Sequence, residues 1–301
     1  MFKKCLKYDL RSFYKIWLIA AAIMLLIAVL GGLGVSCLPI ASTIMASTEE
    51  ADFTIFVGVA MIFIGVISYI AIIYSIAIFT GGTNILLYIR YYMNFFSDQG
   101  YLTFTLPVKR STLFWSKTVS GLIYLLATAL VSLISFGCLF LGFCLPGIIS
   151  PEVAAAMDMN FEGLFSQIGA AEVLYTIVLL ILYVILMVAL EFASLMMEYL
   201  IITFAATLFR SHKVIGVIGV YIGISIVFAI LGMATYVVWG VYLVCLIAFL
   251  AMGLSVLFTV PFFAWLAIYM LMLVAIAAAL TVGMTFANFS MQRLERKLNL
   301  A

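Results

Sequence analysis

Four clusters hold all fourteen Lys and Arg residues of this chain, at 3–15, 90–117, 210–213 and 293–297, and long apolar stretches separate them. Two acidic loops without a cation alternate with the basic clusters. Glu49, Glu50 and Asp52 form one, and Glu152, Asp158, Glu162 and Glu172 form the other. Lys and Arg near the ends of spans are retained on the cytoplasmic side of a membrane, so this alternation orients the chain. It predicts a multi-pass protein of the cell membrane with both termini in the cytoplasm.

With 68% hydrophobic and 9% charged residues, against about 25% charged in soluble domains, the chain leaves no room for a separate soluble domain. The expected fold is an all-α integral membrane protein, one transmembrane domain over 1–301. Crossing the hydrocarbon core takes about 20 apolar residues, and six stretches qualify: 16–40, 53–80, 112–144, 173–209, 214–236 and 262–288. The first, Ile16 to Ile40, outruns the roughly 7–15 apolar residues of a signal peptide, so it is expected to stay as a span.

Val214 to Asn288 contains no charged residue and has length for two or three spans. Three would put Arg293, Arg296 and Lys297 outside, against the charge bias, so two are preferred. The surplus apolar residues, near Tyr236 to Pro261 and interrupted by Gly240 and Gly253, then read as a re-entrant hairpin on the outer side, its backbone buried against protein.

At the N-terminus Lys3, Lys7, Arg11 and Lys15 recur every four residues, with Phe2, Leu6, Leu10, Phe13 and Trp17 on a neighbouring stripe. This predicts an amphipathic helix at the inner interface leading into the first span. Anchoring alone and contact with a cytoplasmic partner are both compatible with the pattern.

The segment from Gly81 to Lys117 (GGTNILLYIRYYMNFFSDQGYLTFTLPVKRSTLFWSK) exceeds the roughly 2–8 residues of an ordinary helix connection. A short amphipathic helix is predicted over Asn84 to Phe96, with Leu87, Tyr91 and Phe95 on one stripe and Arg90 and Asn94 on another. Ser97 to Gly100 reads as a turn. Ser111 or Thr112 is expected to cap the third span. Several aromatics and few charges in a cytoplasmic loop point either to a docking surface or to packing on its own bundle.

At this loop, and with six spans and inside termini over essentially the whole chain, the sequence resembles the membrane-spanning permease subunits of ABC transporters of the type-2 exporter class. The resemblance rests on Lys7, Tyr8, Asp9 and Leu10 before the first span, on FSDQGYLTFTLPV from Phe96 to Val108, on Leu113, Ser116 and Lys117, and on FRSHK from Phe209 to Lys213. It implies an interfacial helix before span one, a coupling helix between spans two and three, and short helices dipping back between spans five and six. It also implies a paired second permease subunit and a separate cytoplasmic ATP-binding subunit. The expected ATPase contacts are Asn94, Phe95, Phe96, Asp98, Gln99, Gly100 and Tyr101, chosen from the aromatics and the resemblance.

No G-x-x-x-x-G-K-[ST] loop is present to cradle a triphosphate, so ATP hydrolysis falls to a partner and the chain is not expected to be an enzyme. His212, the one histidine, sits among Arg210, Ser211 and Lys213 and reads as a solvated loop residue. The five cysteines (Cys5, Cys37, Cys138, Cys144, Cys245) lack metal-ligand spacing and read as small hydrophobes, a pairing among the last four remaining open. No metal, cofactor or nucleic acid is expected; membrane lipids are.

Glu191 and Glu198 lie inside the fourth span, seven residues apart and so within about 20° on one helical face. Ionisable groups at membrane depth usually face a bundle interior or cavity. They are candidates for a polar pathway, or for hydrogen-bonded structural carboxyls nearer the interface. They also define the competing reading, an ion-gradient-driven secondary transporter, which would often show repeated halves and matching broken helices; neither is visible. A membrane scaffold that transports nothing is the third reading. The GVYIG string at Gly219 to Gly223 has the spacing that permits close helix approach.

Overall fold

The computed structural model describes residues 2–47, 52–97, 100, 105, 108–150, 153, 170–208, 215–220, 222–223, 226 and 262–297. Among them there is no strand. Six long helices account for most: α1 (Phe2–Val35), α2 (Cys37–Ser47), α3 (Asp52–Phe96), α4 (Arg110–Ile149), α5 (Ala170–Leu208) and α6 (Phe262–Lys297). Five stretches are long and apolar enough to cross a membrane: Phe2–Met45, Phe53–Phe96, Arg110–Ile149, Ile181–Leu208 and Ile268–Leu294. Their outward side chains are those of a lipid-facing surface; Ile19, Leu26, Leu30 and Leu33 on α1 are 60–64% exposed. The expected hairpin near Tyr236 to Pro261, and most of the fifth span, lie outside the described residues.

Local chemistry sets the helix boundaries. Pro39 has no N–H for the Val35 carbonyl and its ring crowds that oxygen. The first span accordingly breaks at Ser36, whose hydroxyl donates to Leu33 O at 2.7 Å. Pro146 lies near the end of α4, and both the amide and the hydroxyl of Ser150 close on its carbonyl. At the other end of α4, Lys109 O accepts from Thr112 and Leu113. The helix therefore begins at Arg110, and the expected caps Ser111 and Thr112 fall inside its first turn.

Two segments expected as short helices are continuous with the apolar stretches beside them. The N-terminal basic segment and the first span form one helix from Phe2 to Val35, and the helix expected over Asn84 to Phe96 is the last part of a 45-residue α3. No proline interrupts either run. Gly81 and Gly82 cost helix propensity, about 1 kcal/mol each relative to Ala, which is too little to stop a helix carried by apolar flanks on both sides.

The described helices cluster in two compact units, Met1–Leu87 with Val119–Phe165, and Tyr88–Thr118 with Ser166–Ala301. In the first unit Gly31 lies against Ile72, Gly34 against Ser68, Leu38 against Gly65 and Met45 against Gly58. One number rises as the other falls, so the strand of chain through α1 and α2 runs antiparallel to α3. Contacts of α1 with α4 rise together: Leu10 O accepts from Tyr124, Trp17 Nε1 donates to Thr128 Oγ1 at 2.9 Å, and Gly32 meets Gly142. These two helices are parallel. A Cβ on Gly32 would stand 2.8 Å from the Cys138 carbonyl, and one on Gly142 would overlap Gly32 itself. Backbone touches backbone there, which only glycine allows.

In the second unit α5 packs on α6 through Ala189, Ile276 and Ala279, flanked by Leu182 and Leu186. Phe192 covers Gly283, and the Arg293 guanidinium lies 4.8 Å from the Phe204 ring centre. Twelve residues along α5 thus match ten along α6 in the same sense, and α5 and α6 are parallel. Buried hydroxyls on these helices return to their own backbones, as Thr203 does to Tyr199 O and Ser290 to Phe286 O. Such back-bonding satisfies their protons within their own helix.

Candidate functional site

The end of α3 is locked by aromatic rings. Tyr91 is 1% exposed and stacks on Tyr199 of α5, ring centres 3.9 Å apart and planes 10° from parallel. Its hydroxyl lies 2.9 Å from Thr203 Oγ1. Thr203 spends its only proton on Tyr199 O at 2.7 Å, so Tyr91 is the donor. Phe95 and Phe96 stand 5.0 and 6.3 Å from the Tyr91 ring, and Phe114 of α4 meets it edge-on at 6.5 Å. The Lys117 ammonium sits 5.8 Å from the centre of Phe95, within reach of its π face.

The expected stripe is present, with Leu87, Tyr91 and Phe95 all buried. The turn follows it: Gly100 N donates to Ser97 O at 2.8 Å. A Cβ on Gly100 would lie 2.8 Å from the Phe95 carbonyl, so the chain folds back on the helix end only because this residue has no side chain.

Among the expected ATPase contacts, Phe95 and Phe96 are 2% and 6% exposed, Gly100 is buried and Asn94 is half-buried. Asp98, Gln99 and Tyr101 lie outside the described residues. The two phenylalanines belong to the platform under the turn rather than to its outer surface. Sequence reasoning missed Tyr199, Thr203 and Phe114 as the other half of that platform. The available signal was the four-residue spacing of Tyr199 and Thr203, which puts a ring and a hydroxyl on one face of α5.

Glu191 and Glu198 are both half-buried on α5. The α6-facing seam runs through Leu182, Leu186 and Ala189, and at 100° per residue the two carboxyls lie roughly opposite it. Glu198 Oε2 is buried and has no hydrogen-bond partner among the described residues. Because Tyr199 stacks on Tyr91, Glu198 stands at the height of Arg90 and its basic cluster. Glu191 is seven residues, about 10 Å, deeper into the apolar stretch. The two acids therefore occupy different depths, with Glu198 toward the interface.

No group of three or more His, Cys, Asp or Glu side chains among the described residues has metal-binding geometry. Cys5, Cys37, Cys138 and Cys144 are free thiols; Cys245 and His212 lie outside the described residues. Among the described residues a Cβ on Gly219 or Gly223 meets nothing within 4 Å, and the closest backbone-to-backbone approach of two helices is at Gly32 and Gly142.

The chain matches no family model, no curated protein and no solved structure.

Proposed function

We propose that this chain is the membrane-spanning permease subunit of an ATP-driven ABC transporter of the exporter class, which lines the translocation pathway with a second permease subunit and docks a separate cytoplasmic ATPase. The observation that carries the reading is the continuation of α3 beyond the membrane boundary. Trp17, two residues from Lys15, has the character of an interfacial anchor, and its ring is 6.3 Å from Phe79. The register of α1 on α3 (Gly31 on Ile72, Gly34 on Ser68, Leu38 on Gly65) puts Trp17 level with about Leu86, and from there to Phe96 the helix rises about 15 Å, whereas each headgroup layer is only about 5–8 Å thick. The Ser97–Gly100 turn is thus carried past the headgroup layer on a platform braced by Tyr91, Tyr199 and Phe114.

That projecting part of α3 also bears Ile89 and Met93, which are 48% and 41% exposed on one face. An apolar stripe past the boundary is a protein-contact surface. The ATPase contacts then fall on Asn94, Asp98, Gln99 and Tyr101, with Phe95, Phe96 and Gly100 shaping the turn from within.

Six spans with both ends inside are part of the same proposal. Since α5 and α6 are parallel, residues 209–261 must cross the membrane an odd number of times. One crossing there, with the surplus apolar residues folded back on the outer side, satisfies that parity.

The competing secondary transporter draws on one observation, the unpartnered Glu198 Oε2. Both readings meet in one experiment: isolation of the tagged chain from its native membrane in mild detergent, read by mass spectrometry, beside an Asp98→Ala/Tyr101→Ala variant. A nucleotide-binding subunit recovered with the parent and lost from the variant is the expected result. Recovery of the chain alone, even after crosslinking, would sink the permease reading and make Glu191→Gln and Glu198→Gln the variants to assay for ion-coupled flux.

A further inference from the structure

In the first unit, α1 and α3 diverge toward the basic end of α1 and leave a cavity of about 330 Å³. It is a trough from Phe13 to Ile27 on α1 and from Ser75 to Leu86 on α3. Its walls are largely apolar: the Trp17 indole N–H is committed to Thr128 and the Thr83 hydroxyl to Phe79 O, which leaves Ser75 as the other hydroxyl of the lining. Above Trp17 it extends ten residues to Ile27, about 15 Å, which is the depth of one leaflet in a hydrocarbon core about 30 Å thick. A Cβ on Gly82, in its floor, would meet nothing within 4 Å. At its mouth α1 carries Lys3, Lys4, Lys7, Arg11 and Lys15, all exposed, against the single acid Asp9. Lys3, Lys7 and Arg11 share a shallow surface cleft with Leu6, Leu10 and Tyr14.

We infer that the trough holds one acyl chain of an anionic phospholipid from the leaflet at the Lys15 end of α1, its phosphate drawn to the exposed cations of that helix. An unbranched apolar chain fits a slot one leaflet deep whose lining is apolar apart from Ser75, Thr83 and the Trp17 N–H, the last two being committed within the protein. The charge excess at the mouth selects an anionic headgroup over a zwitterionic one. Because α1 is held to α4 at Leu10, Phe13 and Trp17 through Tyr124 and Thr128, the basic segment stays beside the trough rather than lying flat on the membrane.

The test uses the full chain in vesicles, with Trp115, Trp239 and Trp265 changed to Phe so that Trp17, in the trough wall, reports alone. Quenching by phosphatidylglycerol brominated on its acyl chain is compared with quenching by brominated phosphatidylcholine. The expected result is half-maximal quenching at a several-fold lower mole fraction of the anionic lipid. Gly82→Leu fills the trough and removes the preference, while Gly81→Leu, equally open but outside the lining, keeps it. Arg11→Gln and Lys15→Gln should each reduce the preference by up to about fivefold. Native mass spectrometry of the two leucine variants, with all four tryptophans intact, repeats the comparison without the Trp changes: retained anionic lipid on Gly81→Leu and its loss from Gly82→Leu. Equal quenching by the two lipids would reduce the contact to ordinary solvation and overturn the inference. So would absence of quenching by either, which would mean that protein, such as a second copy of the chain, covers the trough, or identical behaviour of the two leucine variants.

Discussion

Tyr91 joins two features that its own stretch of sequence does not connect: the stripe on α3 and the far half of the platform on α5. Its ring carries the packing and its hydroxyl a single bond, so the two contributions separate by substitution. Tyr91→Phe keeps the stack on Tyr199 and forfeits one hydrogen bond, expected to lower stability by about 1 kcal/mol. Tyr91→Ala leaves a cavity, at about 3–5 kcal/mol for the loss of a large buried aromatic. Thermal unfolding in detergent should rank parent, Phe and Ala in that order with the larger step second; equal losses would mean that the hydroxyl, not the ring, holds the helix end. Gly100 is the second sensitive residue. Gly100→Ala forces a methyl against the Phe95 carbonyl, so recovery of the proposed ATPase partner should fall while the long helices keep their helical circular dichroism. Undiminished recovery would show that the turn's shape does not matter for docking.

At the scale of elements, the unbroken α3 is the feature most open to measurement. Spin labels at Ile55 and Met93, both exposed, are 38 residues apart and should give a distance of about 57 Å along a straight helix. A helix bent to lie on the membrane at Gly81 and Gly82 would bring them to about 43 Å, and pulsed electron resonance distinguishes the two. The amphipathic stripe of Leu87, Tyr91 and Phe95 was legible because side chains four apart share a face whatever the helix is attached to. The join to the span was not, since residues 81 and 82 are both glycine and propensity alone does not say whether a helix passes through them or stops. The same holds for α1, where a basic stripe beside an apolar run is compatible with a bend or with a straight rod. Contacts to Tyr124 and Thr128, more than a hundred residues away, keep it straight.

For the whole molecule, the parallel packing of α5 and α6 makes a parity prediction. Single cysteines placed at Ser211 and Phe262 should label from opposite sides of the membrane with an impermeant reagent, and labelling from the same side would exclude a single crossing between them. Segregated charges and long apolar runs determined, from sequence alone, that the chain is all-α with helices long and apolar enough to cross a membrane, because the energy of moving charge through hydrocarbon depends on composition and hardly on tertiary detail. Where the rings of Tyr91, Tyr199 and Phe114 meet, which glycines let backbones touch, and how α1 stands beside α3 were decided by the tertiary structure. Those outcomes depend on shape matching between distant helix faces that are all apolar, and hydrophobicity, being without direction, does not distinguish one such face from another.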